Sequence, residues 1–141
     1  MILVVDASVA LKWFLAESPD EDHTEQALAI FEATVLGQHH LLAPAHFIAE
    51  VAAVLARLKQ DDAQDDPRDL MAIERSTMDS PAIYAKATEL AIRLRHHLFD
   101  TLYHALALET PNAVFITADR RYFDKAQHLG QIAWLPDFVA A

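Results

Sequence analysis

The chain contains no cysteine, which excludes disulfides and cysteine-ligated zinc and agrees with a reducing compartment. Glycine is almost as scarce, with only Gly37 and Gly130 present, so neither a phosphate-binding P-loop nor a G-x-G-x-x-G turn can be assembled. No G-x-S-x-G elbow occurs, and nucleophilic triads therefore lack support. No apolar run approaches the roughly 18 residues that a membrane span requires. Met1 to Val5 has neither a basic leader nor a small-residue cleavage site, so no signal peptide is expected. The expected location is the cytoplasm, away from membranes. Basic residues are outnumbered, 11 against 21 acidic, and the net charge of −10 argues by itself against nonspecific nucleic-acid binding.

What is present fits a folded α/β domain. At 141 residues and 53% apolar, the chain is expected to form one domain, 1–141, with a proper core. Ile2-Val5 is an all-apolar run suited to a strand buried on both faces, and Leu41-Leu42-Ala43, Val114-Thr117 and Ile132-Leu135 read as further strands. Between them the spacing predicts helices over Ser8–Leu15, His23–Leu36, Phe47–Lys59, from about Arg68, from Ser80-Pro81, from Asp100, and over Arg120–His128. In the second of these, Ala27, Leu28, Phe31 and Val35 are expected to face inward, with Gly37 as the stop. Short apolar strands separated by helices imply a short central parallel sheet with helices on both faces, a three-layer arrangement.

Charge is unevenly placed. Two acidic stretches, Glu17-Asp20-Glu21-Asp22-Glu25 and Asp61-Asp62-Asp65-Asp66-Asp69, read as solvated loops and helix ends. Four other carboxylates sit in or against apolar segments: Asp6 after Val5, Glu50 amid Phe47, Val51, Val54 and Leu58, Asp100 after Phe99, and Asp119 after Ile116. Asp6, Asp100 and Asp119 could each simply cap or favour a helix start. Glu50 could not, because it stands in mid-helix on the face expected to be buried. Its bland alternative is a buried ion pair with an arginine. Burying a lone ionised carboxylate costs several kcal/mol or shifts its pKa until it neutralises. If the acids converge they repel, and a divalent cation relieves the repulsion. All-oxygen ligands favour Mg²⁺ or Mn²⁺. The eight histidines do not make a zinc motif: His39-His40 and His96-His97 are adjacent pairs, no H-E-x-x-H occurs, and most are expected at the surface.

These residues carry a family resemblance. Val4-Val5-Asp6-Ala7-Ser8-Val9-Ala10-Leu11-Lys12-Trp13-Phe14 resembles the opening of PIN-domain ribonucleases, and specifically of VapC-type toxins from toxin–antitoxin pairs. Pro44 followed by Glu50, Phe99-Asp100-Thr101-Leu102-Tyr103 and Ile116-Thr117-Ala118-Asp119-Arg120-Arg121 resemble the later acidic positions, and Ile132-Ala133-Trp134-Leu135 the close. The resemblance implies a PIN-like fold and an endoribonuclease acting on structured RNA. It also implies Mg²⁺ as cofactor, with Mn²⁺ as a substitute, a homodimer and restraint by a cognate antitoxin protein. Asp6, Glu50, Asp100 and Asp119 would then hold one or two metal ions. Ser8 and Thr117 would support them as neighbouring hydroxyls, and Lys12, Arg120 and Arg121 would position phosphates. The chain departs from the family pattern at Ala53, where members often carry Asn. Three rival readings are a receiver-type Mg²⁺-binding phosphoacceptor domain, a PIN-like module that only docks RNA or protein, and a DNA-directed nuclease. The first should show paired acids after its first strand, whereas Val4-Val5 precede Asp6 here.

Overall fold

The computed structural model describes residues 1–61 and 64–139; Asp62, counted above in the second acidic stretch, lies outside the described residues. Strand β1 (Ile2–Val5) leads into α1 (Ala7–Phe14) and α2 (Thr24–Val35). Strand β2 (His40–Ala43) follows, then α3 (Phe47–Leu58), α4 (Asp66–Met71) and the two-residue β3 (Ser76–Thr77). The second half contains α5 (Pro81–Leu94), α6 (Leu98–Leu108), β4 (Ala113–Thr117), α7 (Arg120–Ala126) and β5 (Ile132–Trp134).

The five strands form one sheet in the order β3-β2-β1-β4-β5. Every pairing is parallel, with Leu3 opposite both Leu41 and Val114. Parallel strands need crossover helices, so the sheet is covered on both faces and its central strands must be apolar throughout. Leu3, Val4 and Val5 are accordingly fully buried, as are Ile116 and, nearly so, Phe115. Strand order reverses at β1, whose neighbours are β2 on one side and β4 on the other. Side by side, the carboxyl ends of β1 and β4 open the crevice in which such sheets bind ligands. Asp6 follows one of these ends and Asp119 the other.

Local signals explain most boundaries. Ser80 caps α5 by accepting from the Ile83 N–H at 3.2 Å, with Pro81 in the first turn. Gly37 and Gly130 take φ of +75° and +81°, a region that costs other residues strain.

Several expectations need correction. Helix α2 turns Ala27, Ile30, Ala33 and Thr34 inward, while Leu28 and Val35 are exposed. In α3 the buried residues are Phe47, Val51 and Leu55, and Leu58 is exposed. Helix α4 begins at Asp66, ahead of Pro67, because proline is tolerated in a first turn. Helix α6 begins at Leu98 rather than at Asp100, with His97 Nδ1 accepting from the Phe99 N–H at 3.0 Å. The acidic stretches are not wholly solvated: Asp66 is buried and pairs with Lys59 at 3.1 Å, and Glu21 lies 3.7 Å from the Lys12 ammonium. Nor are most histidines exposed. His39 and His104 are buried, His23, His46 and His96 are partly buried, and only His40, His97 and His128 are exposed.

Candidate metal centre

Asp6 caps α1, taking the Val9 N–H on Oδ1 at 3.3 Å. The same oxygen accepts from the Ser8 hydroxyl. Its other oxygen, Oδ2, accepts from the Thr117 hydroxyl at 2.6 Å, a bond that reaches from the end of β4 to the end of β1. Ser8 Oγ in turn accepts from the Ala118 N–H at 2.9 Å, and Thr117 Oγ1 from the Asp119 N–H at 3.0 Å. These hydroxyls fix Asp6 and set the course of the chain into Asp119. Asp119 caps α7, accepting from the Tyr122 N–H at 3.2 Å. The helix-cap reading is thus correct for Asp6 and Asp119.

Glu50 lies at the margin of the buried face of α3, with its side chain 22% exposed. Tyr103 OH donates to its Oε1 at 3.3 Å. Burial and the surrounding carboxylates push the Tyr103 phenol up, so it stays protonated and available as a donor. His46 Nε2 is 3.5 Å from Glu50 Oε2 and 2.9 Å from the Phe99 carbonyl. A carbonyl can only accept, so the ring nitrogen donates to Phe99. Burial holds the His46 pKa below its ordinary value, which leaves the ring neutral near pH 7 and makes no ion pair with Glu50. Among the described residues no Lys or Arg pairs with Glu50. The arginine pairing considered for Glu50 is therefore not found among the described residues.

The acids influence one another electrostatically. Asp6 is pushed up to about 6, first by burial and also by the Asp100 charge, against the lowering effect of Ser8, Thr117 and the Val9 N–H. Glu50 is pushed up to about 7, first by burial, then by Asp100 and Asp6, with Tyr103 opposing. Asp100 sits on the first turn of α6 without capping it, and its Oδ2 is 2.9 Å from His96 Nε2. Donor atoms of His96, Asp100 and Asp119 all lie within 4.8 Å of one another. Asp100 is thus the hub of these effects: its charge adds to the burial that raises Asp6 and Glu50. The group within 4.8 Å holds Asp100 with His96 and Asp119 and does not include Asp6 or Glu50.

The family model of the PIN domain matches residues 3–129. This chain belongs to the PIN-domain family. PIN domains are nucleases. Solved structures with the same fold include VapBC-1 from nontypeable Haemophilus influenzae, at 18% identity and TM-score 0.62, covering 95% of this chain and 96% of that one. VapBC2 from Rickettsia felis, bound to a fragment of its promoter DNA, aligns at 14% identity and TM-score 0.62 over 95% and 97% of the two chains. PAE2754 from Pyrobaculum aerophilum aligns at 19% identity and TM-score 0.61 over 96% and 93%. At such identities the likeness is one of fold. No curated protein sequence matches the chain.

In this PIN domain the donor set suits a hard divalent cation: carboxylate oxygens, two of them raised by burial and mutual repulsion, with no Lys or Arg pairing Glu50 among the described residues. The basic residues expected to meet phosphate are placed differently from one another. Lys12 is buried and donates to the Asp22 carbonyl at 2.7 Å, with Asp22 Oδ1 at 3.3 Å and Glu21 at 3.7 Å. Its ammonium is committed to the loop before α2. Arg120 is exposed beside Asp119, bonded to Asp124 at 3.0 Å and lying 4.4 Å over the Trp134 ring. Arg121 is exposed. Sequence reasoning overlooked Tyr103, His46 and His96. The two histidines share a signal that could have revealed them, since each precedes a site carboxylate by four residues.

Proposed function

We propose that this PIN domain, spanning 1–141, is a VapC-type endoribonuclease that hydrolyses phosphodiester bonds of structured RNA with Mg²⁺, Mn²⁺ serving as a substitute. The observation that supports the reading is that Asp6, at the end of β1 beside β4, and Glu50 are both raised in pKa by burial and by the Asp100 charge, with no Lys or Arg paired to Glu50 among the described residues. Asp119 joins them through Asp100. A divalent cation held by these carboxylates would supply an activated water for in-line attack and stabilise the leaving oxygen.

The protein's own part is to hold that ligand set rigid. Ser8 and Thr117 fix both Asp6 oxygens, Tyr103 orients Glu50, and the start of α7 orients Asp119. In this reading the exposed Arg121 would meet substrate phosphate, and Arg120 would do so with the guanidinium nitrogens not engaged by Asp124. Lys12 is a scaffold residue, because loop acids already occupy its ammonium. Ala53 leaves that position of α3 without a side-chain amide.

The fold shared with two VapBC proteins supports a partner as well. A cognate antitoxin would lay an apolar helix on this domain and bring a basic side chain to the acidic site, competing with the cation. Self-association into a homodimer belongs to the same reading, as does a cytoplasmic location. The test is cleavage of structured RNA and of single-stranded DNA with Mg²⁺, Mn²⁺ or EDTA, with and without the co-expressed product of the neighbouring gene. Endonucleolytic RNA products that vanish in EDTA and diminish in the co-purified complex are expected. The same products persisting unchanged in EDTA, or cleavage of DNA alone, would overturn the proposal.

A further inference from the structure

His96 has no role in the donor set proposed above, yet it is the residue in closest polar contact with the hub carboxylate, at 2.9 Å from Asp100 Oδ2. Its side chain is only 9% exposed, and its ring meets the Tyr122 ring edge-on at 4.9 Å. Tyr122 is itself held, its hydroxyl 2.9 Å from His104 Nδ1, whose Nε2 is 2.9 Å from the Gly130 carbonyl. The His96 ring is therefore packed into one orientation.

Two roles compete for it. With donor atoms of His96, Asp100 and Asp119 within 4.8 Å of one another, a single ion could touch all three. Ligation would need a lone pair on Nε2, hence a proton on Nδ1. Nδ1, however, faces the Lys125 ammonium at 3.3 Å, which also bonds the Arg95 carbonyl at 3.2 Å. An ammonium has three donors and no acceptor, so Nδ1 must be the accepting nitrogen. The ring proton then sits on Nε2 and is donated to Asp100.

We propose that His96, locked by Lys125, is a positioning residue that donates a hydrogen bond to Asp100 Oδ2 and so aims the other oxygen of Asp100 at the metal. This rests on the carboxylates being metal ligands, as proposed above. Carboxylate ligands are held by such outer partners, whose loss typically weakens metal binding about 10- to 100-fold. Helix α7 then serves the site twice. Its first residues orient Asp119, and Lys125, one turn beyond Tyr122, sets the tautomer that orients Asp100.

The experiment compares wild-type protein, His96→Leu and His96→Gln by titration with Mg²⁺ in a calorimeter and with Mn²⁺ by electron paramagnetic resonance. Leucine removes the donor. Glutamine can donate to Asp100 through its amide nitrogen and accept from Lys125 through its oxygen. Expected is a loss of about 10- to 100-fold in His96→Leu for both metals by the same factor, with most of the affinity regained in His96→Gln. A selective loss of Mn²⁺ over Mg²⁺ would reveal a nitrogen ligand and overturn the proposal, as would unchanged affinity in His96→Leu. Should His96→Leu fail to fold, long-range proton–nitrogen NMR of wild-type protein with Mg²⁺ decides the matter. A proton on Nε2 is expected, and its absence would overturn the assignment. Wild-type protein that binds neither metal would instead overturn the metal centre itself.

Discussion

Thr117 Oγ1 donates to Asp6 Oδ2 at 2.6 Å, joining two residues 111 positions apart in sequence that lie where the neighbouring strands β4 and β1 end. Thr117 is fully buried, and its oxygen also accepts from the Asp119 N–H. One hydroxyl therefore ties the Asp6 carboxylate to the backbone of Asp119. Thr117→Val keeps the shape and removes the bond. A buried hydrogen bond to a charged group contributes roughly 1.5–3 kcal/mol, so the denaturation midpoint should fall by a corresponding amount. Thr117→Ser should retain most of the stability. An unchanged midpoint in Thr117→Val would show that Asp6 needs no such support.

Glu50 separates ligand from scaffold. Like charges about 4 Å apart repel by roughly 4 kcal/mol at an effective dielectric of 20 before relaxation or protonation. Glu50→Gln removes the charge and should leave metal-free stability unchanged or raise it. It should also shrink the Mg²⁺-induced rise in Tm, which reports binding to the folded state, and abolish cleavage. A buried ion pair broken by the same change would instead cost on the order of 3 kcal/mol. Thermal melts with and without Mg²⁺ check this. A clear loss of metal-free stability with an undiminished Mg²⁺ shift would contradict the assignment.

The raised carboxyls predict a pH dependence with a definite sign. Folding moves Asp6 from 3.8 to about 6 and Glu50 from 4.5 to about 7. Between those values the folded protein binds more protons than the unfolded chain, so stability falls as pH rises. The contribution of this pair is fully present below the unfolded values and lost as pH passes through 6 and 7. Without metal, wild-type Tm relative to an Asp6→Asn/Glu50→Gln variant should therefore decline from pH 5 to pH 7.5. The Mg²⁺ shift of wild-type protein should grow over the same interval, since the cation displaces the protons. A wild-type Tm that gained on the variant as pH rose would contradict the burial and repulsion that raise these groups.

Much of the scaffold was legible because its signals are local. Ser80-Pro81 and Gly37 act through capping and backbone chemistry that needs no tertiary information, and the unbroken apolar run before Asp6 marks a buried strand. Which face of α2 turns inward was not legible. The helix packs through Ala27, Ile30 and Ala33, small or branched residues that fit against α1 and the turn over 135–137, and leaves the larger Leu28 and Val35 outside. Strand β3 escaped because Ser76-Thr77 is two residues long and carries no apolar run. The site acids stood out as charges in apolar surroundings. Their supports did not, because Tyr103, His46 and His96 look like ordinary core or surface residues until the fold sets them beside Glu50 and Asp100.

The most direct measurement is anomalous diffraction from a crystal of the protein loaded with Mn²⁺. The account predicts a peak at the carboxyl ends of β1 and β4, within coordination distance of carboxylate oxygens from the set Asp6, Glu50, Asp100 and Asp119. It also predicts His96 Nε2 outside that distance. A well-occupied peak elsewhere on the molecule, with the four carboxylates making no contact to metal, would contradict it.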